Sequence, residues 1–435
     1  MRKTVLVVLL ISLSVWGCRG DRAPGSTAQR ENPASSAPAS AAASFIAVRD
    51  GRFVLAGQPY YFVGANFWQG MNLGVDGPSG DRARLVQELN ALRVLGVTNL
   101  RVMASSEGPN TEPYRMIPAL MTSPGEYDGS VLDGLDFLLA EMGKRGLRAV
   151  MVLNNFWQWS GGMAQYVSWH EKAPIPYPGD YEKFINYSAK FYSYEGCQNW
   201  FRDHIAMLIA RTNPYTGIKY RDDPAVFSWE LANEPRRYPQ SWIDETAAYI
   251  KSLDPNHMVT TGSEGAPPGE PTQDFVKTHS GPGIDYVTIH IWPQNWDWFD
   301  PKKPSTFRSA EAKSIAYFQA HAREAAAMGK PLVLEEFGLA RDWAPLHDNF
   351  NPASMTTFKD LFYAALYRQV IDSIAAGGPA AGDNFWAWAG RARPGMSWVG
   401  DPPHEPAGWY SVYDTDTSTL AIISAHVKEI AALVK

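Results

Sequence analysis

Two short segments carry the acids whose placement could do chemistry. The first is Phe227-Ser228-Trp229-Glu230-Leu231-Ala232-Asn233-Glu234-Pro235-Arg236, an apolar run closed by Pro235, which cannot extend a strand ladder. The second is Pro331-Leu332-Val333-Leu334-Glu335-Glu336-Phe337-Gly338, again an acid directly after an apolar run. Both patterns read as a strand that ends on a carboxylate. Two carboxyl groups facing each other across an acetal can divide its cleavage, one attacking carbon as an ionised nucleophile and the other giving a proton to the departing oxygen. A separation of about 5 to 5.5 Å gives retention, and a wider gap admits water and gives inversion. Because side chains alternate along a strand, Glu335 and Glu336 cannot both face the same cleft if the strand is regular, so one of them is expected to be structural or outward.

Positioning such acids requires a scaffold that ends many strands on one face. Short β-branched or aromatic runs recur at Tyr61 to Asn66, Thr98 to Met103, Leu147 to Leu153, Val226 to Glu230, His257 to Thr261, Tyr286 to His290, Leu332 to Glu336 and Asn384 to Trp388. Helical spacing lies between them at Asp81 to Leu95, Leu132 to Arg145, Asn199 to Ile209, Ser241 to Leu253, Ser309 to Met328 and Thr357 to Ala375. Strands alternating with helices imply a parallel sheet. Eight units without a Gly-rich phosphate loop favour closure into an α/β fold of the TIM-type (β/α)8 barrel class over an open doubly wound sheet. The stretch from Asn154 to Gln198 is expected to form face loops, and Phe53 to Tyr60 a hairpin at the barrel floor.

Composition sets the outer bounds. The chain has 435 residues, 45% hydrophobic and 19% charged, which excludes a disordered polyelectrolyte. Its 39 Lys and Arg against 45 Asp and Glu give a formal charge of -6 with no basic run, so nucleic acid is not an expected partner. Aromatics are 13%, with 16 Trp, enough for flat faces against sugar rings as well as for packing. Residues 1–17, with Arg2, Lys3 and the apolar run from Val5 to Ile11, read as an export signal. Val15-Trp16-Gly17-Cys18 resembles a bacterial lipobox that would lipidate Cys18, and Arg19 after it resembles outer-membrane sorting; secretion is the alternative. Membrane contact is then expected only through that lipid. Residues 18–44 read as an Ala/Ser/Pro-rich tether, and residues 45–435 as one catalytic domain. With Cys18 lipidated, Cys197 is a free thiol without a nucleophile motif.

The stretch from Asp223-Pro224 through Asn233-Glu234-Pro235-Arg236, together with Glu335-Glu336-Phe337-Gly338, resembles glycoside hydrolase family 5 and, within it, the bacterial β-mannanases. The resemblance spans roughly Phe53 to Ala389. It implies Glu234 as acid/base, Glu336 as nucleophile and Asn233 on the sugar 2-hydroxyl. Arg101, a charge in an apolar strand that needs a carboxylate partner, would keep the nucleophile ionised. The resemblance further implies His290 on the substrate side, Trp386 as the platform under the cleaved sugar and Arg236 on leaving-side sugars. Trp292 stands where many members carry a tyrosine. Asn155, Trp157 and Trp296, with Trp159, Trp169 and Trp298, are weaker subsite candidates, and Trp388 is expected in the core. No metal motif is present and no dissociable cofactor is implied. The expected activity is a retaining endo-β-1,4-mannanase acting on mannan, glucomannan or galactomannan. The alternatives are a glucanase or exo-acting mannosidase of the same fold, and a silent carbohydrate-binding lipoprotein.

Overall fold

The structure is a computed structural model that describes residues 45–177, 180–268, 274–345 and 347–433. The expected export signal, Cys18 and the tether lie outside the described residues. Eight parallel strands form the central sheet: β1 (Phe62–Asn66), β2 (Asn99–Met103), β3 (Arg148–Val152), β4 (Val226–Glu230), β5 (Met258–Thr260), β6 (Val287–Ile291), β7 (Leu332–Phe337) and β8 (Ala380–Phe385). Their order is β5-β4-β3-β2-β1-β8-β7-β6, so β8 pairs with β1 and the sheet curls round on itself. The remaining seam, between β5 and β6, is stitched by isolated bonds. Asp285 N–H donates to Val259 O at 2.9 Å, Thr260 Oγ1 to Tyr286 O at 3.0 Å, and His290 N–H to Glu264 O at 3.0 Å. The fold is a (β/α)8 barrel.

A helix follows every strand: α1 (Arg82–Leu95), α2 (Gly129–Lys144), α3 (Glu195–Ala210), α4 (Gln240–Leu253), α5 (Phe275–His279), α6 (Phe307–Met328), α7 (Thr357–Ala375) and α8 (Thr417–Leu433). Their starts are capped where orphan N–H groups need acceptors. The Asp81 carboxylate accepts from Arg84 N–H, and that of Asp128 from Ser130 and Val131 N–H. Sequence spacing located six of these helices within four residues of their starts but not α5 or α8. The expected face loop after β3 carries two further helices, Gly162–Glu171 and Tyr181–Ala189, which fold the aromatic-rich stretch onto the barrel rim. β8 begins four residues before its expected run, because Ala380-Ala381-Gly382-Asp383 is small-residue backbone without β-branched side chains. Small size is required there: a Cβ on Gly382 would lie 2.4 Å from the Phe62 ring.

The barrel interior is layered. Its floor is apolar, built from Phe62, Val150, Phe227, Met258, Tyr286, Val333 and Ala381. The three-stranded sheet Ile46–Arg49, Arg52–Leu55 and Gln58–Pro59 closes that end, where Phe53 inserts. Its ring centroid lies 5.2 Å from Phe227 and 5.3 Å from Tyr286, both edge-on. Above this dry floor the inward residues turn polar and charged, so the floor separates the charged layer from water below. Phe53→Ala should cost about 3 to 5 kcal/mol in chemical denaturation; a loss below about 1 kcal/mol would mean that the plug does not seal the barrel.

Candidate active site

The charged layer is organised by Arg101, which β2 sends into the barrel at 3% exposure. An unpaired guanidinium there would cost several kcal/mol, and all its donors are engaged. Nε and Nη2 form a fork on Glu230, at 2.8 and 2.5 Å; Nη2 also donates to Asn233 Oδ1 at 2.8 Å and Nη1 to Asn66 Oδ1 at 3.2 Å. Nη1 donates to Glu336, and Glu335 Oε2 lies 3.7 Å from Nε. Burial alone would lower the Arg101 pKa, but Glu230, Glu335 and Glu336 more than reverse it, so Arg101 stays charged. Glu230 is lifted to about 8 by burial, against the pull of Arg101.

Glu234 lies four residues beyond the end of β4, directly before Pro235. Its N–H donates to Gly262 O at 2.9 Å and the preceding Asn233 N–H to Asn154 O at 2.9 Å, so the β3 and β5 loops hold this turn from both sides. Glu234 has φ +47°, a left-handed conformation that costs a non-glycine residue about 1 kcal/mol or more and is retained where surrounding bonds enforce it. The carboxylate accepts from Trp157 Nε1 at 2.6 Å on one oxygen and lies 2.8 Å from His290 Nδ1 on the other.

Glu336 ends β7. A register shift between Ile289 and His290 pairs His290 with Glu336, breaking the regular alternation that would have turned this side chain away. Glu335 and Glu336 consequently both reach inward: Glu335 is fully buried beneath the site, while Glu336 lines the cleft. His290 joins them, with Nδ1 3.3 Å from Glu336 Oε2 and Nε2 3.4 Å from Glu335 Oε2. Burial would lower the pKa of His290, but Glu336, Glu234 and Glu335 raise it to about 10. Burial favours a neutral Glu234, yet its bond to the charged histidine takes it down to about 2. Burial raises Glu336 above the ordinary 4.5, opposed by His290 and Arg101. His290 thus carries the proton of this pair and donates it to the Glu234 carboxylate, next to a carboxylate that Arg101 favours in its charged form.

Ligand atoms of Glu234, His290 and Glu336 all lie within 4.8 Å of one another. By donor type they are the one set among the described residues that could hold a metal ion. A cation there would have to displace the His290 proton and compete with Arg101 for Glu336, so the set is better suited to moving a proton.

The cleft above these groups has a volume of about 500 Å³. Of the sequence candidates, Asn233, Glu234, Glu336, Arg236, Trp157, Trp159, Trp296 and Trp386 line it, and so does Trp292. Trp292 meets Trp386 edge-on at 5.7 Å. The Arg236 guanidinium lies 4.9 Å above the Trp157 ring and is bound by Glu264, whose pKa burial and the charge of Glu234 push up to about 7. Three candidates occupy other places. Asn155 is enclosed behind Asn233, whose Nδ2 donates to its Oδ1 at 3.0 Å, and Arg101 and His290 are buried beneath the carboxylates. None of the three faces the cleft: Arg101 and His290 spend their polar atoms on the carboxylate layer, and Asn155 on Asn233, Ser160 and the Trp157 N–H. Trp169 packs on Tyr166, Trp298 on Trp296, and Trp388 is a core residue donating to Glu88. Cys197 is buried and free, its thiol pushed up to about 12 by burial.

A family model described as GH family 5 beta-mannosidase-like matches residues 43–435. The chain belongs to glycoside hydrolase family 5. This family-5 chain is similar to mannan endo-1,4-beta-mannosidase 1 of Oryza sativa subsp. japonica, 31% identical over 414 residues that cover 90% of this chain and 87% of the relative. It is also similar to mannan endo-1,4-beta-mannosidase 7 of Arabidopsis thaliana, 32% identical over 363 residues covering 79% and 77%. Among solved structures, the glycoside hydrolase family 5 mannosidase from Rhizomucor miehei superimposes with a TM-score of 0.86 at 40% identity, over 90% of this chain and 99% of that one. A mutant of that mannosidase in complex with mannosyl-fructose gives the same values.

Sequence reasoning missed Gln158, Tyr181, Pro268, Asn295, Pro402, His404, Glu405 and Trp409 on the cleft wall. Gln158 opens a single 3-10 turn and Tyr181 a rim helix, the others sit in loops without periodicity, and nothing local distinguishes them from solvent-facing residues. The loops after β1, β3 and β8 meet on one side. Trp68 after β1 lies 5.5 Å from Trp159 after β3, and His404 after β8 lies parallel to Trp159 at 6.4 Å.

With Glu336 as the nucleophile that the family resemblance implies, ionised for attack and with a pKa raised by burial, the acid limb of kcat/KM should lie above the ordinary carboxylate value of 4.5. Arg101→Lys keeps the charge but loses the fork, and should move that limb up by roughly one pH unit, equivalent to about 1.4 kcal/mol. A pH profile with an unmoved limb would deny Arg101 this task.

Proposed function

We propose that this chain is a retaining endo-β-1,4-mannanase that hydrolyses internal linkages of mannan, glucomannan or galactomannan. The observation that carries the reading is that a carboxyl oxygen of Glu234 and one of Glu336 lie within 4.8 Å of each other, in keeping with the short separation of retaining enzymes. The substrate class is supported by the names of the rice and Arabidopsis relatives and of the Rhizomucor mannosidase.

The chemistry runs in two displacements. A Glu336 carboxylate oxygen bonds to the anomeric carbon while the bond from that carbon to the leaving oxygen breaks and takes its electron pair with it. The proton held between His290 and Glu234 passes through Glu234 to that oxygen, so the departing sugar leaves neutral. Once Glu336 is esterified its negative charge is gone, and Glu234 accepts a proton from water as the water oxygen attacks the same carbon and releases Glu336. Two inversions give net retention. Trp386 and Trp292 line the cleft with aromatic faces that suit a pyranose ring, and Arg236 over Trp157 forms a wall beside Glu234, the proton-donating side.

A second reading, end-acting mannoside release, is favoured by one observation: the meeting of the loops after β1, β3 and β8 bounds the cleft on one side. Anchoring as an outer-membrane lipoprotein, with secretion as the alternative, suits a polysaccharide substrate and rests on residues 1–19 alone.

Proton NMR of early products should detect the β-anomer first; initial α-anomer would overturn the double displacement. Mannohexaose should be cut internally, whereas mannose as the first and dominant product would select the end-acting reading. Glu336→Ala should lower kcat by roughly 10⁴-fold or more with the fold intact. Glu234→Ala should lose turnover on mannan yet form glycosyl-enzyme readily from substrates whose leaving groups need no proton; equal losses on both substrate types would count against its acid role.

A further inference from the structure

The loop after β8 brings unused hydrogen-bonding capacity to the cleft. Glu405 Oε2, His404 Nδ1 and Trp409 Nε1 are enclosed without a partner, as is Trp386 Nε1 at the end of β8, and all four residues line the same 500 Å³ space. Leaving buried polar atoms unpaired costs about 1 to 3 kcal/mol each, so four on one wall need a reason. The loop's own architecture does not supply it. Its shape is set by Asp401, whose carboxylate accepts from Gly408 N–H at 2.7 Å, Tyr410 N–H at 2.6 Å and Ser411 Oγ at 2.5 Å. Glu405 has no such duty, and its side chain is only 13% exposed. Across the cleft, by contrast, both Glu234 oxygens and Arg236 are already bonded.

We propose that Glu405, supported by His404 and Trp409, binds hydroxyl groups of the sugar unit that Glu336 attacks, and thereby determines which hexopyranose the cleft accepts. This inference rests on the glycosidase reading and names its specificity element. Hydroxyls both donate and accept, so one pyranose can satisfy a carboxyl oxygen, an imidazole nitrogen and two indole N–H groups together. Burial and the nearby charges of Asp401, Glu336 and Glu234 raise the Glu405 pKa well above the carboxylate range. Such a wall discriminates strongly, because a sugar lacking the matching hydroxyl leaves buried groups unpaired again.

The test is calorimetric binding of mannobiose and mannotriose to Glu336→Ala protein, alone and combined with Glu405→Gln or Glu405→Ala. Glu405→Gln keeps the shape and guards against misfolding of the alanine variant; melting temperatures monitor both. The proposal expects Kd to rise about tenfold or more with either change at unaltered melting temperature. It also expects a deoxy-mannobiose missing the bound hydroxyl to lose little further affinity in Glu405→Ala. Unchanged Kd in folded variants would overturn it. If the Glu336→Ala protein bound cello-oligosaccharides but not manno-oligosaccharides, the mannan reading would fall and the Glu405 variants would be judged by the same criterion on that ligand. Binding of neither would overturn both.

Discussion

A single guanidinium in the middle of the barrel constrains most of what surrounds it. Arg101 cannot sit at 3% exposure without anionic partners, and Glu230, Glu335 and Glu336 cannot share a few ångströms of low-dielectric interior without a cation. The mutual requirement ties β2, β4 and β7 together at one height. It explains the layered interior: an aromatic floor around Phe53 keeps water from the charged layer, and the charged layer presents two carboxylates to the open end. The same guanidinium fixes Asn233 through its Oδ1, and Asn233 in turn is held by Asn155, so the turn bearing Glu234 is set from the layer below. Stability and reactivity therefore draw on one network.

His290 gives this network its asymmetry. Without it, Glu234 and Glu336 would be two buried carboxylates of similar character, each pushed up by burial and by the other's charge. With its Nδ1 2.8 Å from Glu234 and 3.3 Å from Glu336, the imidazole assigns the proton to one side and leaves the other to Arg101. The family resemblance leads one to expect a tyrosine where Trp292 stands. Here Trp292 contributes an apolar edge against Trp386, and contacts of Glu336 come from Arg101 and His290 instead.

Much of this was legible in the sequence because the barrel strands are chemically simple. Runs such as Val226 to Glu230 and Leu332 to Glu336 are largely apolar and end on an acid, so periodicity and the following Pro235 or Gly338 mark both strand and site. β8 was misplaced because Ala380 to Asp383 is selected for smallness against Phe62, and smallness has no strand signature. The helices within residues 154–198 were hidden by aromatic residues that serve rim packing rather than one apolar stripe. Asn155, Arg101 and His290 were recognisable as important but not as buried supports, since spacing does not reveal depth. Glu335 and Glu336 illustrate the limit: alternation predicted that only one faces the cleft, and only Glu336 does, but the register shift at His290 that keeps Glu335 inward beneath it is invisible in sequence. Glu405 gave no signal at all, because a glutamate between prolines looks like any exposed loop.

The central claim is that Glu336 forms the covalent bond to the sugar while its neighbour Glu335 does not. It is tested most directly by incubating the protein with a 2-deoxy-2-fluoro-mannosyl donor bearing an activated leaving group and mapping the modified peptide by mass spectrometry. The account predicts one fluoromannosyl group, located on Glu336. A label on Glu335 or Glu230, or an active protein that acquires none, would contradict it.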